Sequence, residues 1–330
     1  MSADNDAFSE GARIMTICNA CRYCEGYCAV FPAMERRLTF DESELAYLAN
    51  LCHDCGSCFP ACQYAPPHEF AVDVPRTFAQ IRKETYGRFA WPPAASAAFS
   101  DPARFASAAG LVGVILFAAA TLLFGAMSTA TMTVVFLIAG AYVVAMLAAG
   151  IRRCWRAFGD VPLSWNELGA AAAALRDALL LRNLEGGDNP VSTRPIFHHL
   201  AFYGFAACFA ATVVAAFDDH ILGWPPPYPL WSAPVALGTV GGITLLAGAA
   251  GLLRTAVDLP FIVMLLLVAF TGLLLLALRA TTLMPALLAV HLGVVLGLFV
   301  TMPYGKFVHG FYRYAALLRD AIEKRRAGQV

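Results

Sequence analysis

The sequence predicts a mostly α-helical protein in two parts: a cysteine-rich helical module at the N-terminus, then a bundle of six membrane-spanning helices. Three observations predict it. Hydrophobic residues make up 59% of the chain and charged residues only 14%, and mean hydropathy is +0.63, all outside the range of an ordinary globular domain. The excess lies between about residue 105 and residue 308, in six runs that approach or exceed the length needed to cross a bilayer. Eight of the ten cysteines lie before that region, in two copies of one spacing.

The first copy is Cys18-x2-Cys21-x2-Cys24-x3-Cys28 and the second is Cys52-x2-Cys55-x2-Cys58-x3-Cys62. This run ligates [4Fe–4S] cubanes in two-cluster bacterial ferredoxins, whose fourth cysteine serves the other cluster. Three thiolates two residues apart can wrap one face of a cube from a tight turn, and the fourth, on the helix that follows, reaches across. The rule assigns Cys18, Cys21, Cys24 and Cys62 to one cluster, and Cys52, Cys55, Cys58 and Cys28 to the other. Structural zinc favours separated C-x2-C pairs over four close thiolates twice repeated. Disulfides are disfavoured because the topology below puts this segment in a reducing cytoplasm. His53 and His68 belong to this two-cluster ferredoxin-like module, as cluster hydrogen-bonders or exposed residues.

The two-cluster module is expected over residues 1–75. Residues 64–104 carry Pro66, Pro67, Pro75, Pro92, Pro93 and Pro102 and read as an extended strap, with a linker at 76–104. The six spans are expected at roughly 106–127, 131–151, 197–217, 233–253, 259–278 and 284–306, within a membrane domain over 105–310. Between the second and third spans, the loop 152–195 holds a helical pattern from Glu167 to Leu184, with Gly186-Gly187 as its stop. Leu168, Ala171, Leu175 and Leu179 recur at helical spacing there, which suits an amphipathic helix on the membrane surface or one packed on the membrane domain. Residues 311–330 form a basic tail.

Charge fixes the orientation. With both termini inside, the inner segments hold 22 lysines and arginines, and the outer loops hold one, Arg279, the positive-inside pattern. The N-terminus, from Met1 to Glu10, is polar and acidic rather than a signal peptide, so the cysteine module is expected on the cytoplasmic side of an inner membrane. The outer loop after the third span reads Asp218-Asp219-His220 and then Trp224-Pro225-Pro226-Pro227-Tyr228, as an interfacial crossing without cations should.

Histidine is costly in hydrocarbon and usually faces the bundle interior for a purpose. His198 and His199 open the third span, His291 lies in the sixth, and His309 lies just past its inner end. His291 and His309 are eighteen residues apart, five helical turns, so both are expected on one face about 27 Å apart. His198 or His199 shares the inner depth of His309, and two such imidazoles can clamp a b-type haem. Neighbours on a helix point about 100° apart, so one of the pair ligates. Gly204, Ala206, Ala207, Gly293 and Gly297 would let a flat macrocycle slot between helices, or serve plain helix packing. His291 has no histidine partner at its depth, so a second haem, a quinone carbonyl and a structural bond all remain open for it. Cys154 and Cys208 read as spare buried thiols. Lys306 and Tyr304 are quinone-site candidates, with interfacial anchoring as the alternative.

Three stretches carry a resemblance: Ile17 to Pro32 around the first cysteine run, Leu51 to Phe70 around the second, and Phe197-His198-His199-Leu200-Ala201-Phe202-Tyr203-Gly204-Phe205. They resemble the tricarballylate-utilisation B / citrate-utilisation B family over nearly the whole chain. The resemblance implies an iron–sulfur, haem b membrane protein that reoxidises a separate FAD-dependent dehydrogenase. That partner oxidises tricarballylate or a related tricarboxylate, and the electrons continue to the quinone pool. The architecture is also similar to the C-terminal half of the flavin–haem protein of cobalamin synthesis. Helices two to six are similar to the cytochrome b subunit of respiratory nitrate reductase, which has two histidines about ten residues apart on its second helix. Here the upper position falls near Cys208-Phe209, so one haem is expected, with two still open.

No G-x-G-x-x-G follows a strand pattern, so the flavin belongs to another chain. The expected role is electron-transfer subunit rather than dehydrogenase. The alternative is a membrane-bound redox sensor or assembly factor whose clusters report oxidation state. A transporter is disfavoured, because the helices hold almost no internal acids and no paired broken segments.

Overall fold

A computed structural model describes residues 7–125, 128–159, 161–182, 184, 193–253 and 258–328. Among them the regular structure is helical, with no strand. The chain divides into two compact units, one from Met1–Ser100, Met146–Ser192 and Phe307–Val330, the other from Asp101–Ala145 and Thr193–Lys306.

The first unit begins with α1 (Ala7–Cys21), α2 (Val30–Glu35), α3 (Glu42–Leu51), α4 (Val74–Phe89) and the single turn α5 (Ala97–Ser100). Asp41 accepts from the Glu44 amide at 3.0 Å and starts α3. Asp73 does the same for Arg76, with Pro75 in the first turn of α4. There the missing N–H of proline costs nothing, because first-turn donors have no intrahelical partner anyway. Helices α1, α3 and α4 pack through Ile14, Met15, Leu45, Phe78 and Ile81, each at most 1% exposed. Gly11 permits the closest approach: a Cβ there would lie 2.8 Å from Ile81 Cδ1 and 3.3 Å from Leu45 Cδ2.

The extended strap expected over 64–104 is therefore overturned across Val74–Phe89, a 16-residue helix with its apolar side buried. The prolines misled because Pro75 and Pro102 open helices rather than interrupt them. A second correction concerns the fourth cysteines. Cys28 stands two residues before α2, and Cys62 lies in irregular turns with no helix until Val74. Pro66-Pro67, so soon after Cys62, lack the donors a helix needs. Cys18 and Cys21 are not in a tight turn either, since they sit three apart on one face of the last turn of α1.

Two later helices complete this unit. Helix α8 (Leu168–Leu179) is shorter than the expected 167–184, and the glycine pair proposed as its stop lies outside the described residues. Its buried face is the alanine face, Ala170 and Ala174, which meets α13 (Val308–Arg326). Leu168, Leu175 and Leu179 are exposed. Helix α13 buries Tyr312, Arg313, Ala316, Arg319 and Asp320. Arg36 and Arg37 at the end of α2 bind its Asp320 and Glu323, Arg319 binds Glu44 of α3 at 2.6 Å, and Tyr47 lies beneath Arg37 and Arg319.

The second unit holds α6 (Pro102–Phe124), most of α7 (Thr129–Ala157), α9 (Arg194–His220), α10 (Ala233–Leu252), α11 (Leu259–Ala277) and α12 (Met284–Thr301). Six helices, the last beginning at Met284, are long and apolar enough to cross a membrane, and the protein is a multi-pass membrane protein. Two crossings are tight. A Cβ at Gly113 of α6 would lie 2.3 Å from the Gly293 carbonyl of α12, and one at Gly204 of α9 would lie 2.4 Å from the Leu245 amide of α10. Small residues at such crossings let backbones touch where lipid supplies no hydrophobic drive.

This closes one expectation. Gly204, Gly293 and Gly297 are filled by neighbouring helices and line no slot for a macrocycle. The five-turn register from His291 to His309 also fails. Helix α12 ends at Thr301, Met302–Tyr304 form a tighter turn, and Gly305 is extended before α13 begins. Pro303 removes a helical donor, so the helical phase is not carried across.

Candidate metal centre

The first unit gathers the eight motif cysteines around two hollows. One, of about 400 Å³ with its open mouth, is lined by Cys28, Cys52, Cys55 and Cys58, with Tyr27, Phe31 and His53. The other, of about 350 Å³, is lined by Cys18, Cys21, Cys24 and Cys62, with Tyr23, Phe31, Gln63 and Tyr64. Each hollow therefore takes three cysteines from one motif and the fourth from the other. Phe31, 3% exposed, borders both.

Local folding explains how the sulfurs arrive. Helices α1 and α3 deliver the first cysteines of each run, and the following loops turn sharply, with Asp54 at φ 63° and Gly56 at φ 78°. Asp54 tolerates that conformation better than most residues. Its amide donates to Cys52 Sγ at 3.4 Å, and Gln63 Nε2 donates to Cys21 Sγ at 3.7 Å.

Burial and the adjacent sulfurs push Cys18 up to about 12, Cys24 up to about 11 and Cys28 up to about 12, and they raise Cys58 as well. Sulfurs gathered this closely repel one another when ionised, and a polycation among them would offset that repulsion. A bound metal core deprotonates coordinating thiols outright. Among the described residues, no three His, Cys, Asp or Glu side chains converge as they would around a single ion. Four sulfurs spread around a hollow are a donor set that fits a cubane.

Charged and aromatic residues surround the first hollow. Arg82 of α4, 2% exposed, pairs with Asp54 at 2.8 Å, donates to the Ala49 carbonyl at 3.0 Å and faces the Cys52 sulfur. Burial raises Cys52 and the Arg82 charge opposes that rise. The charges of Cys52, Cys28 and Cys55 also act on buried Arg313 of α13, against the larger effect of its burial. Sequence reasoning missed Arg82, Asp54, Tyr86, Arg313 and Phe31. The one usable signal was an arginine four residues after Phe78 on the apolar side of a helix, a place for a buried charge with a purpose.

The histidines divide between the units. His309, in the first turn of α13, holds Tyr86 Oη through Nδ1 at 2.8 Å, and its ring lies 6.4 Å from the ring of His53, which lines the first hollow. An imidazole fixed at Nδ1 presents Nε2 for coordination, the usual arrangement of metal-bound histidine. Nδ1 of His309 is thus held by a protein partner. In the second unit His198 and His199 are half-buried in the first turns of α9, and His199 stacks on Tyr203 at 5.9 Å. His291 is tied to α11, its Nδ1 2.9 Å from Thr271 Oγ1 and its ring 3.0 Å from where a Cβ on Gly272 would sit. Cys208 faces Gly241 of α10 and Cys154 is fully buried. Lys306 pairs with Asp258 at 2.8 Å, and Tyr304 packs on Phe105.

Comparison with known proteins follows these two parts. The family described as "Citrate utilization protein B" matches residues 116–329, and the one described as "Citrate utilization protein B Fer4-like domain" matches residues 11–88. The "Citrate utilization protein B" of Escherichia coli is 44% identical over 358 aligned positions, covering 97% of this chain and 94% of that protein. No solved structure matches the chain.

Proposed function

The chain belongs to the citrate utilization protein B family, and from that premise we propose that it is a membrane electron-transfer protein serving citrate or tricarballylate utilisation. It takes electrons from a separate FAD-dependent dehydrogenase of the tricarboxylate and delivers them through two [4Fe–4S] clusters and a haem b to a membrane quinone. The module and both termini face the cytoplasm, across an inner membrane.

The observation that carries the reading is the exchange of cysteines between the two hollows. Cys18, Cys21, Cys24 and Cys62 hold one cluster, and Cys52, Cys55, Cys58 and Cys28 hold the other. His309 with His198 or His199 holds the haem, and His291 is kept for a second haem or a quinone carbonyl. Such groups, when bound, take up and release one electron at a time. The chain fixes their separations and tunes their potentials.

The residues suit that work. Phe31 keeps water out of the wall shared by the hollows. The Asp54 amide and the Gln63 side chain donate to sulfur, which favours the more negative, reduced state. Tyr86 holds the His309 ring in one orientation. The two-cluster module takes in α4 as well as residues 1–75, and the haem-binding part belongs to the apolar helices between residues 105 and 310.

The test is a reduced-minus-oxidised visible spectrum of the detergent-solubilised chain, with iron, acid-labile sulfide and pyridine haemochrome counted per chain. A b-type spectrum with two cubanes' worth of labile sulfide is expected. A chain without labile sulfide overturns the cluster reading, and one without haem overturns the histidine assignment alone.

A further inference from the structure

The two hollows differ in their charge. Around Cys18 and Cys24 the perturbing groups are burial and the other cysteines of that set. Around Cys52 stands a guanidinium 2% exposed, and the charge of a second, 5% exposed, reaches three of the four sulfurs. Buried arginines are rare and expensive. Asp54 offsets part of the Arg82 charge through their 2.8 Å pair, and Arg313 donates to the Arg182 carbonyl at 3.3 Å with the Asp177 charge also acting on it.

A cluster that gains an electron becomes more negative, and a fixed cation beside it favours that state. From this geometry we propose that Arg82, supported by Arg313, raises the reduction potential of the cluster held by Cys28, Cys52, Cys55 and Cys58, making it the electron-accepting member of the pair. The inference rests on the cluster reading above. One electron then passes from the reduced cluster at Cys18, Cys21, Cys24 and Cys62, which is oxidised, to its neighbour, which is reduced. Burial works the other way, since a desolvated cluster resists added charge. The Arg82 guanidinium facing the Cys52 sulfur opposes it, because the low-dielectric interior strengthens that attraction as well as raising the desolvation cost. The accepting cluster also lies toward the His53–His309–Tyr86 contact, and the donating one lies beside the exposed Tyr23. Arg82 and Arg313 are positioning residues here, acting on the cluster through the sulfurs.

The experiment is an EPR-monitored redox titration of the full-length, detergent-solubilised protein. Wild type is expected to give two cubane signals with separate midpoints. Arg82→Gln should lower the higher midpoint by at least the equivalent of a tenfold change in the reduced-to-oxidised ratio, about 59 mV for one electron, and leave the lower one in place. Arg82→Lys should restore most of the shift, and Arg88→Gln, an exposed arginine on the same helix, should move neither. If Arg82→Gln fails to assemble, Arg313→Gln decides by the same criterion. A responding signal that is the lower of the two, equal movement of both, or movement of neither overturns the proposal. Absence of both cubane signals from wild type would instead defeat the cluster reading itself.

Discussion

Glu323 ties the C-terminal helix to the cysteine module, and its removal should be felt throughout that unit. Its carboxylate accepts from Arg37 Nη2 at 2.8 and 3.0 Å, from Arg319 Nε at 2.8 Å and from Arg36 Nη2 at 3.3 Å. Arg37 and Arg319 are 7% exposed and Tyr47, beneath both, is fully buried. Taking one partner from a buried ion pair costs about 3–5 kcal/mol. Two facts reduce that figure here. The Glu323 side chain is 23% exposed, and Glu44 and Asp320 continue to pair with the same arginines. About 2 kcal/mol remains for Glu323→Ala. In a folding unit of 150–250 residues that corresponds to a fall in Tm of roughly 4–8 °C. Intrinsic fluorescence of the detergent-solubilised chain at a fixed scan rate is the assay, since Trp91, Trp155 and Trp165 belong to this unit. Lys324→Ala removes a more exposed pair, to Asp320 at 2.8 Å, and should move the transition by about 2 °C or less. Equal shifts in the two variants, or none for Glu323→Ala, would refute a coupled network and leave only surface pairing.

Cys62→Ser should disturb the cluster of Cys18, Cys21 and Cys24 and spare its neighbour, and Cys28→Ser should do the reverse; loss of the signal from the same motif in either EPR spectrum would break the exchange of ligands. His309→Ala should abolish the low-spin haem signal, whereas Tyr86→Phe should keep the haem and shift its spectrum, and an unchanged haem content in His309→Ala would remove this residue from the site. Gly113→Val drives a side chain into the Gly293 carbonyl, 2.3 Å from the first added carbon, so the variant should lose monodispersity on size-exclusion chromatography in detergent; unaltered behaviour would mean that α6 and α12 are not locked together.

Much of this was legible in sequence because the signals are periodic or local. Six apolar runs gave six helices with ends displaced by a few residues, since burial in lipid demands the same composition along each span. One spacing rule led to the exchange of cysteines between clusters, and in the structure Cys28 lines a hollow with Cys52, Cys55 and Cys58 while Cys62 lines one with Cys18, Cys21 and Cys24. What was hidden depends on partners distant in sequence. Arg82 and Asp54 are 28 positions apart, and Glu323 lies 286 from Arg37. No local pattern announces such pairs. Pro75 and Pro102 contributed to the signal for a strap but serve as helix starts, a distinction visible only with the preceding Asp73 and Asp101 caps in view. The small residues near the membrane histidines could have served a cofactor or another helix, and composition cannot choose between those uses.

The first unit bears on topology in a way that charge counting does not. It joins three stretches far apart in the chain: the N-terminal module, the segment Met146–Ser192 and the helix after Phe307. Arg153 on α7 bonds the Ala90 carbonyl at 3.0 Å, Arg319 on α13 bonds Phe158, and Arg326 reaches Glu167 at 3.1 Å. Stretches whose charged side chains meet through several ion pairs and carbonyl bonds suit water or the interface better than hydrocarbon, where ionic groups are costly, and stretches in contact there share a side. Between the first and second of them the chain has two apolar helices, α6 and α7, and between the second and third it has four, α9 to α12. Even numbers of crossings return the chain to the side it left. An odd count in either interval would separate stretches that the contacts hold together. The parity is an argument from packing, and which side is the inner one is the separate expectation drawn from the distribution of cations.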